Sequence, residues 1–326
     1  MIDALYVVGG QQRMLRPLRA GNSTDWNAYQ QGAILRIDPL TKKWEECVSY
    51  TSPPEVCRPE NPAITFQAGS IKDDLLYVCT QTEVIVYKMP TFEQVGYLSM
   101  PIFNDLHHVH PTPRGTLLIA NAGLEMVLEM SLSGEVCKAW NVLGEEPWQL
   151  SSEIDFRQLN TKPHRSHPNY VFYVDSEPWA TRFHQGDAIC LTQPDKRIKI
   201  SDERIHDGVV SDGHIYFTSV NGWIYVVNSS TLEIETRINL NEMHQDRTLL
   251  GWCRSLLVDD GKLWVGFSRI RPTKWRENVT WLVRGFKSVK PTHIACYDLA
   301  KRECIVEVDL EPMGLNAVYS IFPVAA

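Results

Sequence analysis

The sequence predicts an all-β fold: a six-bladed β-propeller closed by pairing its N- and C-terminal strands in one blade. Three observations predict it. One hairpin pattern recurs six times, a second hairpin precedes most of the copies, and helical periodicity is nearly absent. Two hairpins make one four-stranded sheet, and several such sheets in series make a propeller.

The recurring hairpins, taken in chain order, begin at Ile34 (ILRIDPLTKKWEECV), Val84 (VIVYKMPTFEQVGYL), Met126 (MVLEMSLSGEVCKAW), Ala188 (AICLTQPDKRIKI), Ile224 (IYVVNSSTLEIETRI) and Ile294 (IACYDLAKRECIVEV). Each joins two β-rich stretches through a short polar turn. The preceding hairpins begin at Phe66, Leu106, Ile205 and Cys253, with KDD, PRG, SDG and DDG at their turns. HPNYVFYVDSEPWATRF, from His167, is a looser version in the fourth blade. The blade holding Ile34 is split. NAVYSIFPV (316–324) supplies its innermost strand, DALYVVGG (3–10) the next, and the hairpin from Ile34 the outer pair. Sharing one blade between the termini leaves the ring without open edges. The whole chain, 1–326, is read as one propeller domain with lid-like insertions at 11–31, 141–163 and 268–292.

Composition narrows the function. The chain has 326 residues, 44% hydrophobic and 22% charged, with a net charge of −7. That balance excludes a largely disordered chain and argues against nucleic acid as a partner. No apolar run approaches the ~20 residues of a membrane helix, and MIDALYVVGG lacks the basic start of a signal peptide. The eight cysteines are scattered without a CxxC pair, so neither a disulfide framework nor a zinc ribbon is expected. These features read as a cytoplasmic protein with no membrane partner.

The long insertions all fall on one face, opposite the tight first and third turns of each blade, and that face is expected to carry function. The 268–292 segment holds Arg269, Arg271, Lys274, Arg276, Arg284, Lys287 and Lys290 against one acid, Glu277. Trp275, Val279, Leu282 and Phe286 recur there at helical spacing, as in a short amphipathic lid. Arg13, Arg16 and Arg19 add charge from the adjacent blade. Cations concentrated beside the axis of an acidic protein point to a small anionic metabolite as partner.

Histidines cluster at the starts of inner strands in blades three to five: His107, His108 and His110 in DLHHVHPT, His164 and His167 in HRSHPNYV, and His206 in RIHDGVV. Inner strands line the axis, so these segments converge. Converging imidazoles are common ligands for transition metals. The expected metal ligands are His108, His110, His167 and His206, holding a divalent transition metal, iron foremost, with zinc or copper as alternatives. His107 and Asp207 are the expected catalytic groups. Arg182, Asn221, Arg254, Arg269 and Arg271 are expected to bind the anion. Asp105 or Asp207 would orient a ligand ring from behind. The sequence holds no P-loop, GxSxG, GxGxxG after a strand or EF-hand loop.

HHVH followed by PRGTLLIAN, then HPN at His167 and HDG at His206, resemble segments of propeller enzymes of the arylsulfotransferase and lyase types. The resemblance covers the middle third of the chain. It implies that a histidine at a strand start, beside an arginine, accepts or binds a sulfuryl group. The reading is therefore a small-molecule enzyme with a metal-dependent oxygenase or lyase reaction. Metal-free sulfuryl transfer by a histidine is the alternative, as is a non-catalytic interaction scaffold.

Overall fold

The computed structural model describes residues 2–13, 29–60, 62–148, 154–244, 248–270 and 288–324. Six antiparallel four-stranded sheets make up the fold, arranged as the blades of a propeller. Numbered in chain order, and read outward from the axis, blade 1 holds Ala317–Pro323, Leu5–Gln12, Tyr29–Ile37 and Trp44–Tyr50. Blade 2 holds Ser70–Lys72, Leu75–Cys79, Val84–Lys88 and Glu93–Leu98. Blade 3 holds Leu106–Pro111, Leu117–Asn121, Met126–Met130 and Val136–Asn141. Blade 4 holds Pro168–Val174, Glu177–Arg182, Asp187–Cys190 and Arg197–Lys199. Blade 5 holds Ile205–Ser211, His214–Ser219, Trp223–Asn228 and Ile234–Asn239. Blade 6 holds Trp252–Asp259, Lys262–Ser268, His293–Asp298 and Glu303–Asp309.

The closing blade is built as the sequence predicts. The C-terminal strand pairs antiparallel with the N-terminal one, Val7 opposite Ile321, and the latter pairs with Tyr29–Ile37. Turn chemistry follows the residues. Asp212-Gly213 and Asp260-Gly261 form two-residue loops with both φ angles positive, the geometry that suits the twist of a tight hairpin.

Apolar cores lie between blades, since each sheet buries both faces against its neighbours. Six clusters each join one adjacent pair of blades, from Leu76 and Ile34 between blades 2 and 1 to Trp264 and Leu35 between blades 6 and 1. This explains the near-continuous apolar runs of second and third strands such as LLIAN and MVLEM, buried at every position. Outer strands such as Trp44–Tyr50 have only one covered side and are largely exposed.

Near the axis, every seam between blades carries a hydrogen bond. Ser320 Oγ accepts from Gly69 N at 3.0 Å, His107 O from Ala68 N at 3.0 Å, and His108 Nδ1 from Val171 N at 3.1 Å. Asn169 Nδ2 donates to Ile205 O at 2.9 Å, Ser255 N to Asp207 Oδ1 at 3.2 Å, and Val318 N to Ser268 Oγ at 3.0 Å. Five of the inner strands also carry a register shift near their starts, in blades 1, 3, 4, 5 and 6. Such bulges re-aim side chains next to the opening. Among the described residues, no helix is long and apolar enough to cross a membrane.

Candidate functional site

The axial site is assembled from the starts of four inner strands. His107 opens blade 3, His167 directly precedes blade 4, and His206 and Arg254 open blades 5 and 6. The ring of His107 meets that of His167 edge-on at 4.3 Å between centroids and lies 6.3 Å from His206. Phe183, which follows the second strand of blade 4, packs against His167, His206 and Trp252 and holds the rings in place.

A carboxylate and a lysine complete one side. Asp105 sits at φ +48° just before blade 3, with Lys162 Nζ 3.1 Å from its Oδ2. His107 Nε2 lies 3.8 Å from Asp105 Oδ1, and His164 Nδ1 lies 3.8 Å from Oδ2. His164 and His167 share a 2.6 Å contact between their Nδ1 atoms. The segment carrying both is tied to blade 3 by Glu125, whose carboxylate accepts the backbone N–H groups of Arg165, Ser166 and His167. Asp105, His164 and His167 each offer one ligand atom, all within 4.8 Å of one another, so this trio can hold a metal ion.

Electrostatics here follow burial. Burial pushes His107 down to about 3, and it holds His167 and His206 well below the usual imidazole range. All three rings are neutral at pH 7 and keep a lone pair for a proton or a metal. Burial works against the charge of Asp105, but Lys162 and the neighbouring imidazoles outweigh it and keep the carboxyl below its ordinary value. The Nδ1 of His107 is buried and makes no hydrogen bond among the described residues.

Arg254 is the unusual member. It is 8% exposed, and its guanidinium is sandwiched between Trp252 and Tyr319, 5.0 Å from each ring centroid. Its Nε has no hydrogen-bond partner, and no carboxylate pairs with it among the described residues. A buried cation is normally paired.

The other residues singled out from the sequence sit differently. His108 and His110 point to the opposite side of their strand from His107, and both meet Ser70 Oγ, at 3.1 and 3.2 Å. His108 uses both nitrogens: Nδ1 accepts from Val171 N, while Nε2 reaches Gly69 O at 3.2 Å, and its ring stacks on Tyr170 at 3.7 Å. It clamps blades 2, 3 and 4 together, and the structure brings His167 to Asp105 and His164 instead. Asp207 lies in the blade 5–6 seam, accepting from Thr218 Oγ1 at 2.6 Å and from Ser255 N. Arg182 forms a two-pronged pair with Asp187, at 2.8 and 2.6 Å, and donates to Val142 O. Arg269 is engaged by Gln12 and Glu311. Asn221 accepts from Ser219 Oγ at 2.5 Å inside a turn. Arg271 and the central part of the 268–292 insertion, with its expected helix, lie outside the described residues.

Beyond Asp105, a shallow cleft opens beside blade 2, lined by Ser52, Gln81, Asn104, Arg157 and Lys162 among others. Asn104 donates to Phe156 O and Leu159 O and accepts from Thr161, which shapes the cleft wall. Lys162, Asn104 and Glu125 carry no motif. Only the proximity of KPH to HRSH hinted at the lysine.

Compared with known protein families, the chain matches none, and it matches no curated protein. Among solved structures it is similar in fold to a protein of unknown function from Bacteroides caccae. That crystal structure has a TM-score of 0.64 and 13% identity, covering 99% of this chain and 100% of the other. A chain of a mitotic checkpoint complex aligns at a TM-score of 0.48 with 6% identity, over 85% of this chain and 74% of that one. The first of these likenesses shares the propeller architecture from end to end.

Proposed function

We propose that this propeller is a small-molecule enzyme whose axial opening receives an anionic metabolite on Arg254. The observation that carries the reading is the buried Arg254 guanidinium, held between two aromatic rings and making no salt bridge among the described residues, although the Asp207 carboxyl is near enough to feel its charge. Burying a charge without a salt-bridge partner is costly, and a ligand carboxylate, sulfate or phosphate would reduce that cost through charge-assisted hydrogen bonds. Arginine suits the task because its planar fork matches two oxygens at once.

The neutral imidazoles of His107 and His206 stand beside it as acid–base groups. Each can take a proton from, or return one to, a substrate seated on Arg254. Asp105, His164 and His167 would hold a divalent transition metal. Bound there, such an ion would polarise a substrate oxygen or lower the pKa of water. Glu125 positions the segment carrying His164 and His167 through the backbone it holds, and Lys162 neutralises Asp105 when no ion is bound.

Titration calorimetry with sulfate, phosphate and malonate tests the anion site on wild type and Arg254→Met. At least one anion should bind the wild type, more weakly as salt rises, and binding should drop tenfold or more in the variant. Equal binding by both proteins, or none by either, would end the reading. Plasma mass spectrometry of wild type and His167→Ala, after loading with iron, zinc or copper, tests the metal part separately.

A further inference from the structure

A second cluster lies far from the axis, on the outer half of blade 6, where the basic insertion rejoins the sheet. His293 begins the third strand, and Cys304 and Glu307 sit on the outermost one. Residues three apart on a strand normally face opposite ways. Here the register shifts between Cys296 and Tyr297, which pair with Val306 and Cys304, so Ile305 is the extra residue. The bulge turns Cys304 to the face that carries Glu307, His293 and Tyr297. His244, from the connection between blades 5 and 6, covers that face.

The donor atoms converge. His244 Nδ1 and His293 Nε2 each lie 4.0 Å from the same oxygen, Glu307 Oε2. Ligand atoms of His244, Cys304 and Glu307 all fall within 4.8 Å of one another. Both imidazoles are oriented from behind. His293 Nδ1 donates to Pro291 O at 2.8 Å, which leaves Nε2 as a bare acceptor, and His244 Nε2 bonds the Tyr297 hydroxyl at 2.9 Å. That is how proteins commonly fix metal-binding histidines. His293 is 1% exposed, and its Nε2, facing the cluster, has no hydrogen-bond partner among the described residues. Lys290 puts its ammonium between the groups, 2.5 Å from Glu307 Oε2 and 3.4 Å from His244 Nδ1, so a cation already sits among these donors.

We propose that His244, His293, Cys304 and Glu307 form a tetrahedral zinc site, with Lys290 as the cation that fills it when the metal is absent. Thiolate, imidazole and carboxylate together are a zinc donor set. Zinc–nitrogen and zinc–oxygen bonds of about 2.0–2.2 Å place ligand atoms roughly 3.4 Å apart, so the 4.0 Å separations need only a small contraction. On binding, the Cys304 thiol releases its proton to solvent and the Lys290 ammonium swings out, still charged. The metal would pin the returning end of the insertion, where Ser288–Val289 pairs in parallel with Thr248–Leu249 and Lys290 N donates to Leu249 O. This site is independent of the axial one and contains the only sulfur donor of the two.

Cobalt(II) titration of the full chain tests it, because thiolate coordination to cobalt gives a near-ultraviolet charge-transfer band that the axial trio cannot give. Wild type should show the band at one cobalt per chain, and zinc should bleach it. Cys304→Ser should abolish the band, and Glu307→Gln should weaken binding about tenfold or more. Lys290→Met, which removes the competing ammonium, should tighten binding. If His293→Gln fails to fold, Glu307→Gln, on the half-exposed outer strand, still decides. No band in wild type, or a band that survives Cys304→Ser, overturns the proposal. So does a Lys290→Met protein that binds no metal and only loses stability, since the lysine is then a permanent partner of Glu307.

Discussion

The guanidinium of Arg254 lies 5.0 Å from the ring of Tyr319, a residue of the strand that the C terminus lends to blade 1. The buried cation of the axial site therefore rests on the element that closes the ring. Closure and site are one structural unit: the residue proposed to grip the ligand is walled by the last strand of the fold.

Deleting the chain from Asn316 onward should be severe. It removes the innermost strand of blade 1, the Ser268–Val318 and Gly69–Ser320 seam bonds, and the buried Val318 and Ile321. The edge of Leu5–Gln12 is then left unpaired, and blades 2 and 6 lose their inner neighbour. The truncated protein should be insoluble or lack a cooperative transition by circular dichroism. A cooperative melt at the parent temperature would refute this closing scheme.

Two histidines of similar burial should respond differently to the same change. His108→Phe keeps a ring against Tyr170 but leaves the Val171 N–H and the Gly69 carbonyl unpaired, at a cost of about 1–3 kcal/mol. His206→Phe breaks no hydrogen bond seen among the described residues and keeps the aromatic contact with Phe183. It should be close to neutral in stability while impairing anion processing. Urea unfolding of both variants checks the contrast, and equal losses would contradict it.

Acid should weaken the blade seams through His108 and His110. Burial holds His108 well below the normal imidazole range and pushes His110 down to about 4. The folded state thus keeps both rings neutral where the unfolded chain, titrating near 6.5, takes up protons. Their contribution to stability is present above pH 6.5 and is lost as pH falls toward 4. Denaturation midpoints should drop across that window, and His110→Gln should flatten the slope. A variant with the parental slope would assign the acid sensitivity elsewhere.

The architecture could be read from the sequence because each blade repeats local signals. Asp212-Gly213 and Asp260-Gly261 dictate their own turns, and the alternation of Leu106–Pro111 correctly sets His108 and His110 apart from His107. What period two does not reveal is which side faces the axis. The register shift between Leu106 and His108 decides that, sending His107 to the opening and His108 into a seam. Arg182 was also ambiguous, since its partner Asp187 sits directly across a hairpin, an ion pair that looks the same in sequence as a free arginine beside an acid. Lys162 and Glu125 reach the site from connections whose paths no repeat encodes. The convergence of His107, His167, His206 and Arg254 followed from topology alone, since all four stand at inner-strand starts.

Asp207 distinguishes a seam residue from a catalytic one. It is 2% exposed, and burial raises its carboxyl to about 6, against the partial relief of hydrogen bonds from Thr218 and Ser255 and of the nearby Arg254 charge. With the folded value above the unfolded one near 3.8, folding takes up a proton between those limits. The contribution of Asp207 is therefore fully present below pH 4 and is lost as pH rises through 6, where the fold must bury a charge. Asn can still accept from Ser255 N, and its amide can meet the Thr218 hydroxyl, so Asp207→Asn keeps the seam without the ionisation. Relative to wild type, the variant should gain stability between pH 4.5 and pH 8, read as the difference in urea midpoints at the two values. A pH-independent difference would mean that Asp207 ionises as easily in the fold as in the unfolded chain. Metabolite processing, once a substrate is in hand, should survive the substitution if Asp207 serves only the seam, and should collapse if its carboxylate also moves a proton.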